Sequence, residues 1–244
     1  MLLLAVIGIL PLLAGDQESE EALKAFAKAY NSPNASARAT AVGSLAQTRT
    51  IPIMSKLAEL LVADEGPVRI AAAKGLGDFT ENKPKAAAAL MEAMGVNSKE
   101  FDVAAAILTA LGTLGEESAL AIIHQHFASK DAKDKDHLIP KAAILAAGLA
   151  RNRESIHVLL DLAKDLEKAE GTNSNSNTKA SKSSGGGVRG IPGGGGANPQ
   201  KDRAKALLPV IVKAMQTITK EKWATIKEWE VWWEKRQANY VVPK

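Results

Sequence analysis

Apolar residues recur at helical spacing along most of this chain, and the stretches that carry them come in pairs. Ile53 to Ala63 places Met54, Leu57, Leu60 and Leu61 at i, i+3, i+6 and i+7, on one face of a helix. Leu90, Met91 and Met94 do the same within Lys85 to Met94. So do Leu120, Ile123 and Phe127 within Ser118 to Phe127, and Ile156, Leu159, Leu160 and Leu166 within Ser155 to Leu166. Between them lie alanine-rich stretches that close near a glycine: Ser36 to Ala46, Asp64 to Gly77, Phe101 to Gly115 and His137 to Arg151.

These alanine-rich stretches are copies of one another. Arg38 to Arg69 and Leu45 to Leu76 are both steps of 31. Leu76-Gly77 returns as Leu111-Gly112 after 35 residues, and Ala105-Ala106-Ile107-Leu108 returns as Ala142-Ala143-Ile144-Leu145 after 37. Such periods mark a repeat architecture. Pro52, Pro67 and Pro84 fall where helices should start, since the first turn tolerates a missing N–H. Ser118 and Ser155 precede apolar runs and are expected as N-caps. A lone helical hairpin cannot bury both apolar faces, whereas neighbours stacked at a fixed offset can. The expected fold is therefore all-α, an α-solenoid of about five stacked helical hairpins.

The string Asp64 to Gly77 resembles the HEAT-repeat consensus, with its Asp, Val-Arg pair, paired alanines and Leu-Gly close. That resemblance to the armadillo/HEAT-like family implies an inter-repeat ladder of Arg and Asp, here Asp64, Arg69 and Arg38. Later copies depart from it: Ala104 stands at the Arg position, and Pro140-Lys141 open the fourth copy. The resemblance spans roughly Ser19 to Ala169.

Four segments are expected: 1–15 a signal peptide, 16–169 the HEAT-like repeats, 170–201 a disordered low-complexity insertion, and 202–244 a C-terminal helical hairpin with a tryptophan-rich cap. Met1 to Leu13 is an unbroken apolar run with one proline, shorter than the roughly 20 residues a membrane helix needs. It reads as a leader that exports the protein to the periplasm or beyond if cleaved, and anchors it in the membrane otherwise. Gly171 to Gln200 is dominated by Gly, Ser, Asn and Thr. It reads as a flexible interruption of the repeats.

In the C-terminal segment, Leu207, Leu208, Ile211, Met215 and Ile218 share one face of Asp202 to Lys220. All four tryptophans lie in Trp223 to Tyr240, read as the second helix. There Ile226, Trp229, Trp233 and Tyr240 share a narrow arc, and Trp223 and Trp232 sit at its edges. The arc suits a cap on the end of the core. Trp232 and Trp223 are the candidate partner surface, Trp232 as an edge ring open to solvent. The tryptophan-rich ending resembles those of exported HEAT-repeat proteins of planctomycete-like bacteria.

Composition narrows the chemistry. The chain has no cysteine, so disulfides, thiolate metal sites and cysteine nucleophiles are excluded. The formal charge is +4, yet Lys179, Lys182, Arg189 and Lys201 account for all of it within an acid-free segment. Specific nucleic-acid binding is therefore not expected, and the basic insertion is suited only to weak contact with anionic surfaces. His124 and His126 are two apart on a helix and diverge by about 200°. Asp131, Asp134 and Asp136 alternate with lysines and read as a solvated loop. No catalytic, cofactor-binding or metal residue is assigned. The expected protein is a monomeric, non-catalytic interaction scaffold of the cell envelope or secreted space, with an unidentified protein partner. The alternative is a HEAT-like small-molecule-binding or lyase-type enzyme, which requires a groove with convergent polar groups.

Overall fold

The computed structural model describes residues 10–131, 133–171 and 198–243. Every regular element among them is helical: α1 (Leu10–Tyr30), α2 (Ala35–Leu45), α3 (Ile51–Ala63), α4 (Gly66–Gly77), α5 (Lys83–Val96), α6 (Phe101–Leu114), α7 (Leu120–Gln125), α8 (Leu138–Ala150), α9 (Arg153–Gly171), α10 (Pro199–Thr219) and α11 (Ile226–Arg236). Short 3-10 turns flank α7 on both sides. Pro52, Pro67 and Pro84 each occupy the first turn of their helix, as expected. The serines do not cap. Ser118 lies inside the 3-10 turn before α7, and Ser155 is the third residue of α9. The Asn152 carboxamide oxygen accepts from the Glu154 N–H at 2.8 Å and takes the capping role there.

Two compact units divide the chain between Ala150 and Arg151. In the first unit, α2, α4, α6 and α8 stack in order as one layer, and α1, α3, α5 and α7 form a second layer packed on the first. Each helix touches its hairpin partner, and successive members of each row meet, α5 reaching the 3-10 turn before α7, which is the α-solenoid arrangement. The core runs between the layers. Val42, Leu57, Leu61, Val68, Leu76, Leu90, Ile107, Leu108 and Leu111 are each fully excluded from solvent.

The row of even-numbered helices is held close by missing side chains. A Cβ on Gly112 would lie 2.5 Å from both the Cα and the carbonyl oxygen of Ala146 on α8. One on Gly77 would lie 3.1 Å from the Ala110 Cα on α6, and one on Gly75 would lie 2.7 Å from the Ala46 Cβ, just past α2. The Leu76-Gly77 and Leu111-Gly112 closes are thus packing requirements between successive repeats. Gly115 serves a different end: it caps α6 at φ +67, a left-handed conformation that costs other residues more.

The second unit comprises α9, α10 and α11, with α9 packed against both of the others. Helix α9, within the range expected for the repeats, lies in this second unit. Glu170 and Gly171 lie in α9, and Pro199 to Lys201 in α10, all inside the range expected for the insertion. Residues 172–197 of that insertion, and residues 1–9 of the expected leader, lie outside the described residues.

Gly112→Ala should lower unfolding stability by about 1–3 kcal/mol, since backbone must move to admit the methyl. Gly43→Ala, at a helical site with nothing within 4 Å of the added carbon, should raise stability by up to about 1 kcal/mol. Urea unfolding of the two variants checks the contrast.

Candidate functional site

The fourth residue of each even-numbered helix sets the ladder. These residues are Arg38 in α2, Arg69 in α4, Ala104 in α6 and Lys141 in α8. Arg38 reaches forward to the next repeat, where its Nη2 donates to Asp64 Oδ1 and Glu65 Oε1, both at 2.9 Å. Its Nη1 donates to the Ser32 carbonyl at 3.0 Å. The Tyr30 hydroxyl donates to the same Asp64 carboxylate. Arg38 and Asp64 side chains are each only 13% exposed, so the pair is largely shielded from water.

Arg69 makes the next rung, but not with the Asp64 carboxylate. Its Nε donates to the Asp64 backbone carbonyl. Its Nη1 donates to Asn97 Oδ1 at 3.1 Å and to Glu100 Oε1 at 2.8 Å. The buried Asn97 amide in turn donates to the Leu61 carbonyl at 3.2 Å and the Ala93 carbonyl at 2.9 Å. Asn97 lies 33 residues after Asp64 and stands where the aspartate stood in the previous rung.

At the third rung Ala104 supplies no charge, and the acid behaves differently. Asp134 is 4% exposed, and its two carboxylate oxygens accept the N–H groups of Leu138 at 2.6 Å and Ile139 at 2.9 Å. It caps the start of α8. The expectation of a wholly solvated Asp131 to Asp136 loop is corrected here, because the backbone donors at a helix start draw one carboxylate inward. The ladder is a framework for stacking; its polar atoms face one another.

The even-numbered row also has a solvent side. It carries exposed Thr40, Ser44, Lys74, Thr109, Thr113 and Leu145. The hydroxyls of Thr40, Ser44, Thr109 and Thr113 donate back to the carbonyls four residues earlier, leaving low, nearly uncharged ridges. A separate cleft beside α1 and α3 is lined by Leu23, Phe26, Tyr30, Ser55, Lys56 and Glu59. Three of its polar groups are engaged: Lys56 pairs with Glu59 at 2.8 Å, and Tyr30 with Asp64.

In the C-terminal unit the aromatic arc is packed inward. Trp229 is fully buried, and Trp232 and Trp233 are 5% and 8% exposed. Trp232 meets the edge of Trp229 at 5.5 Å between ring centroids and Tyr240 at 5.1 Å. Its Nε1 donates to Glu221 Oε1 at 3.2 Å. Trp232 is therefore not the open edge ring expected of it, because Tyr240 and Glu221, from beyond the helix, cover that edge. Burial, with the charge of Glu221 beside it, raises the Tyr240 pKa above the ordinary phenol value. Leu208 is half-buried, in contrast to the fully buried Leu207, Ile211, Met215 and Ile218.

Trp223 precedes α11, outside the helical arc in which it was placed, and is 38% exposed. Its carbonyl accepts from Gln216 Nε2 at 3.1 Å, which fixes the backbone under the ring. Together with Lys227, Val231, Trp232, Lys235 and Arg236 it lines a shallow groove. Glu228 also borders the groove, but its carboxylate closes the capping box of α11, accepting from the Thr225 hydroxyl at 2.8 Å and N–H at 2.9 Å and from the Ala224 N–H at 3.2 Å. Those bonds, the Thr225 hydroxyl first, hold its pKa below the ordinary glutamate value.

Among the described residues no group of three or more His, Asp and Glu side chains is arranged to hold a metal ion. His126, at the start of the 3-10 turn after α7, has its ring Nδ1 bonded to the Ile122 carbonyl of α7 at 2.8 Å.

The family model described as HEAT repeats matches residues 54–138, the stretch from α3 to the start of α8. Residues 54–138 are similar to HEAT repeats, and the stacked helical pairs of the first unit agree with that match. No curated protein matches the chain. HEAT repeats typically mediate protein interaction and are generally non-catalytic.

Removing the guanidinium in Arg38→Met should cost about 1–3 kcal/mol, because the shielded Asp64 carboxylate loses its cation. The exposed pair broken in Lys56→Met should cost under about 0.5 kcal/mol. Thermal unfolding of both variants tests the ladder. Trp229→Ala should cost about 3–5 kcal/mol and Trp223→Ala under about 0.5 kcal/mol, measured by the same method.

Proposed function

We propose that this protein is a non-catalytic scaffold of the cell envelope or secreted space that holds a protein partner along the open face of its repeats. The observation that carries this reading is the run of low, nearly uncharged ridges presented by α2, α4, α6 and α8. An extended face of this kind accommodates a long partner surface and requires no special residue, which fits the interaction role typical of HEAT repeats. The apolar run Met1 to Leu13 supports the envelope or secreted setting. Among the described residues no helix is long and apolar enough to cross a membrane.

Immobilised full-length chain should retain one stoichiometric partner from the envelope fraction of its source cells. The double variant Thr109→Arg, Leu145→Arg should lose that partner with an unchanged unfolding midpoint, since both positions are exposed. Retention undiminished in the variant overturns the assignment of this face. A partner found only in the cytoplasmic fraction overturns the envelope setting. In the native chain, intact mass should place the mature start near Asp16.

A further inference from the structure

The groove before and along α11 combines an apolar floor with three cations, Lys227, Lys235 and Arg236. Trp223 and Val231, 38% and 41% exposed, supply the floor. Lys227 and Lys235 also line it and make no ion pair among the described residues. Arg236 has its guanidinium carbon 5.8 Å from the Trp232 ring centroid and its Nη1 3.8 Å from Glu221 Oε1, so it is partly held. Glu228, the groove's one acid, is turned into the capping box, where three donors already engage it.

We propose that this groove binds an acidic peptide segment carrying one bulky apolar side chain. The apolar residue packs on Trp223 and Val231, and flanking carboxylates meet Lys227 and Lys235. The proposal rests on the scaffold reading and adds a partner chemistry to it, at a surface separate from the repeat face. Charge complementarity selects the occupant. The basic segment Gly171 to Lys201 of this same chain, with four cations and no acid, has the wrong sign for the groove. A flat anionic membrane is also disfavoured, because Glu230 and Glu234 lie on the same helix as the lysines and would meet the surface with them. A peptide can place its acids selectively. The fixed backbone of Trp223 and the capped start of α11 mean that little ordering is needed on binding.

Fluorescence polarisation with full-length protein provides the test. The probes are a short labelled peptide of alternating Asp and Glu with one central Phe, the same peptide with Ser in place of Phe, and its Lys counterpart. The Phe-bearing acidic peptide should bind at least about fivefold more tightly than the Ser peptide, and the Lys peptide should not bind. Lys227→Glu with Lys235→Glu should weaken binding about tenfold or more, and Trp223→Ala about fivefold, with unchanged circular dichroism. Should the charge reversal disturb folding, Lys227→Gln with Lys235→Gln should still weaken binding severalfold.

Equal binding of the Phe and Ser peptides, or indifference to the lysine substitutions, overturns the proposal. So does tighter, Lys227- and Lys235-dependent binding to phosphatidylglycerol vesicles, which would make the groove a membrane contact. Sedimentation showing a dimer abolished by the same substitutions overturns it in favour of a second copy. A chain that ignores every peptide yet retains its envelope partner rejects the groove alone. Loss of both rejects the scaffold reading as well.

Discussion

The close approach of α2, α4, α6 and α8 governs the first unit. A row of helices with ordinary side chains between them would stand further apart, and the thin core behind the row would open. Here the contact points are glycine against alanine: Gly75 beside Ala46, Gly77 beside Ala110, Gly112 beside Ala146. At these points each helix meets the next almost backbone to backbone. The aliphatic residues behind, Leu76, Ile107 and Leu111 among them, are then fully enclosed. Alanine-rich composition is a condition of this packing, because a larger residue at one seam would displace every repeat beyond it.

The ladder follows from that spacing. Helices this close bring the start of one repeat beside the turn before the next, so a long side chain at the fourth helical position can span them. Arg38 and Arg69 do so with different partners, a carboxylate in one rung and a carboxamide in the other. Both partners satisfy the same need: Arg brings several donors into a half-buried site, and these must be met. Where Ala104 removes the donors, Asp134 has no cation from that position and turns to the open backbone of α8 instead. The third rung thus keeps the acid and changes its work.

Periodicity along the sequence made the helical pairs, the prolines at helix starts and the Leu-Gly seams legible. The resemblance of Asp64 to Gly77 to the HEAT consensus, and not periodicity, suggested Arg38, Arg69 and Asp64 as ladder residues. It did not reveal how they are connected: Arg69 engages Asn97 and Glu100, with only the backbone of Asp64. A signal for Asn97 was present in its 33-residue step from Asp64, hidden by the change from acid to amide. The Ser118 and Ser155 caps failed because both helices start off the apolar phase, so a serine before a hydrophobic run ended inside the element. The tryptophans show the limit of a helical projection. It ranks positions on one helix, whereas the edge of Trp232 is covered by Glu221 and Tyr240 from outside that helix.

The same distinction separates the two tryptophan roles in the C-terminal unit. The indole N–H groups of Trp229 and Trp233 are buried with no protein hydrogen-bond partner among the described residues. What these positions supply is ring area: a three-helix unit has few residues with which to enclose a core. Trp223 contributes nothing of this kind. It lies in the loop between α10 and α11, leaves over a third of its surface in water, and is held through its backbone and not its ring. This large apolar ring at the surface, beside Lys227 and Lys235, is the feature on which the proposed peptide contact rests.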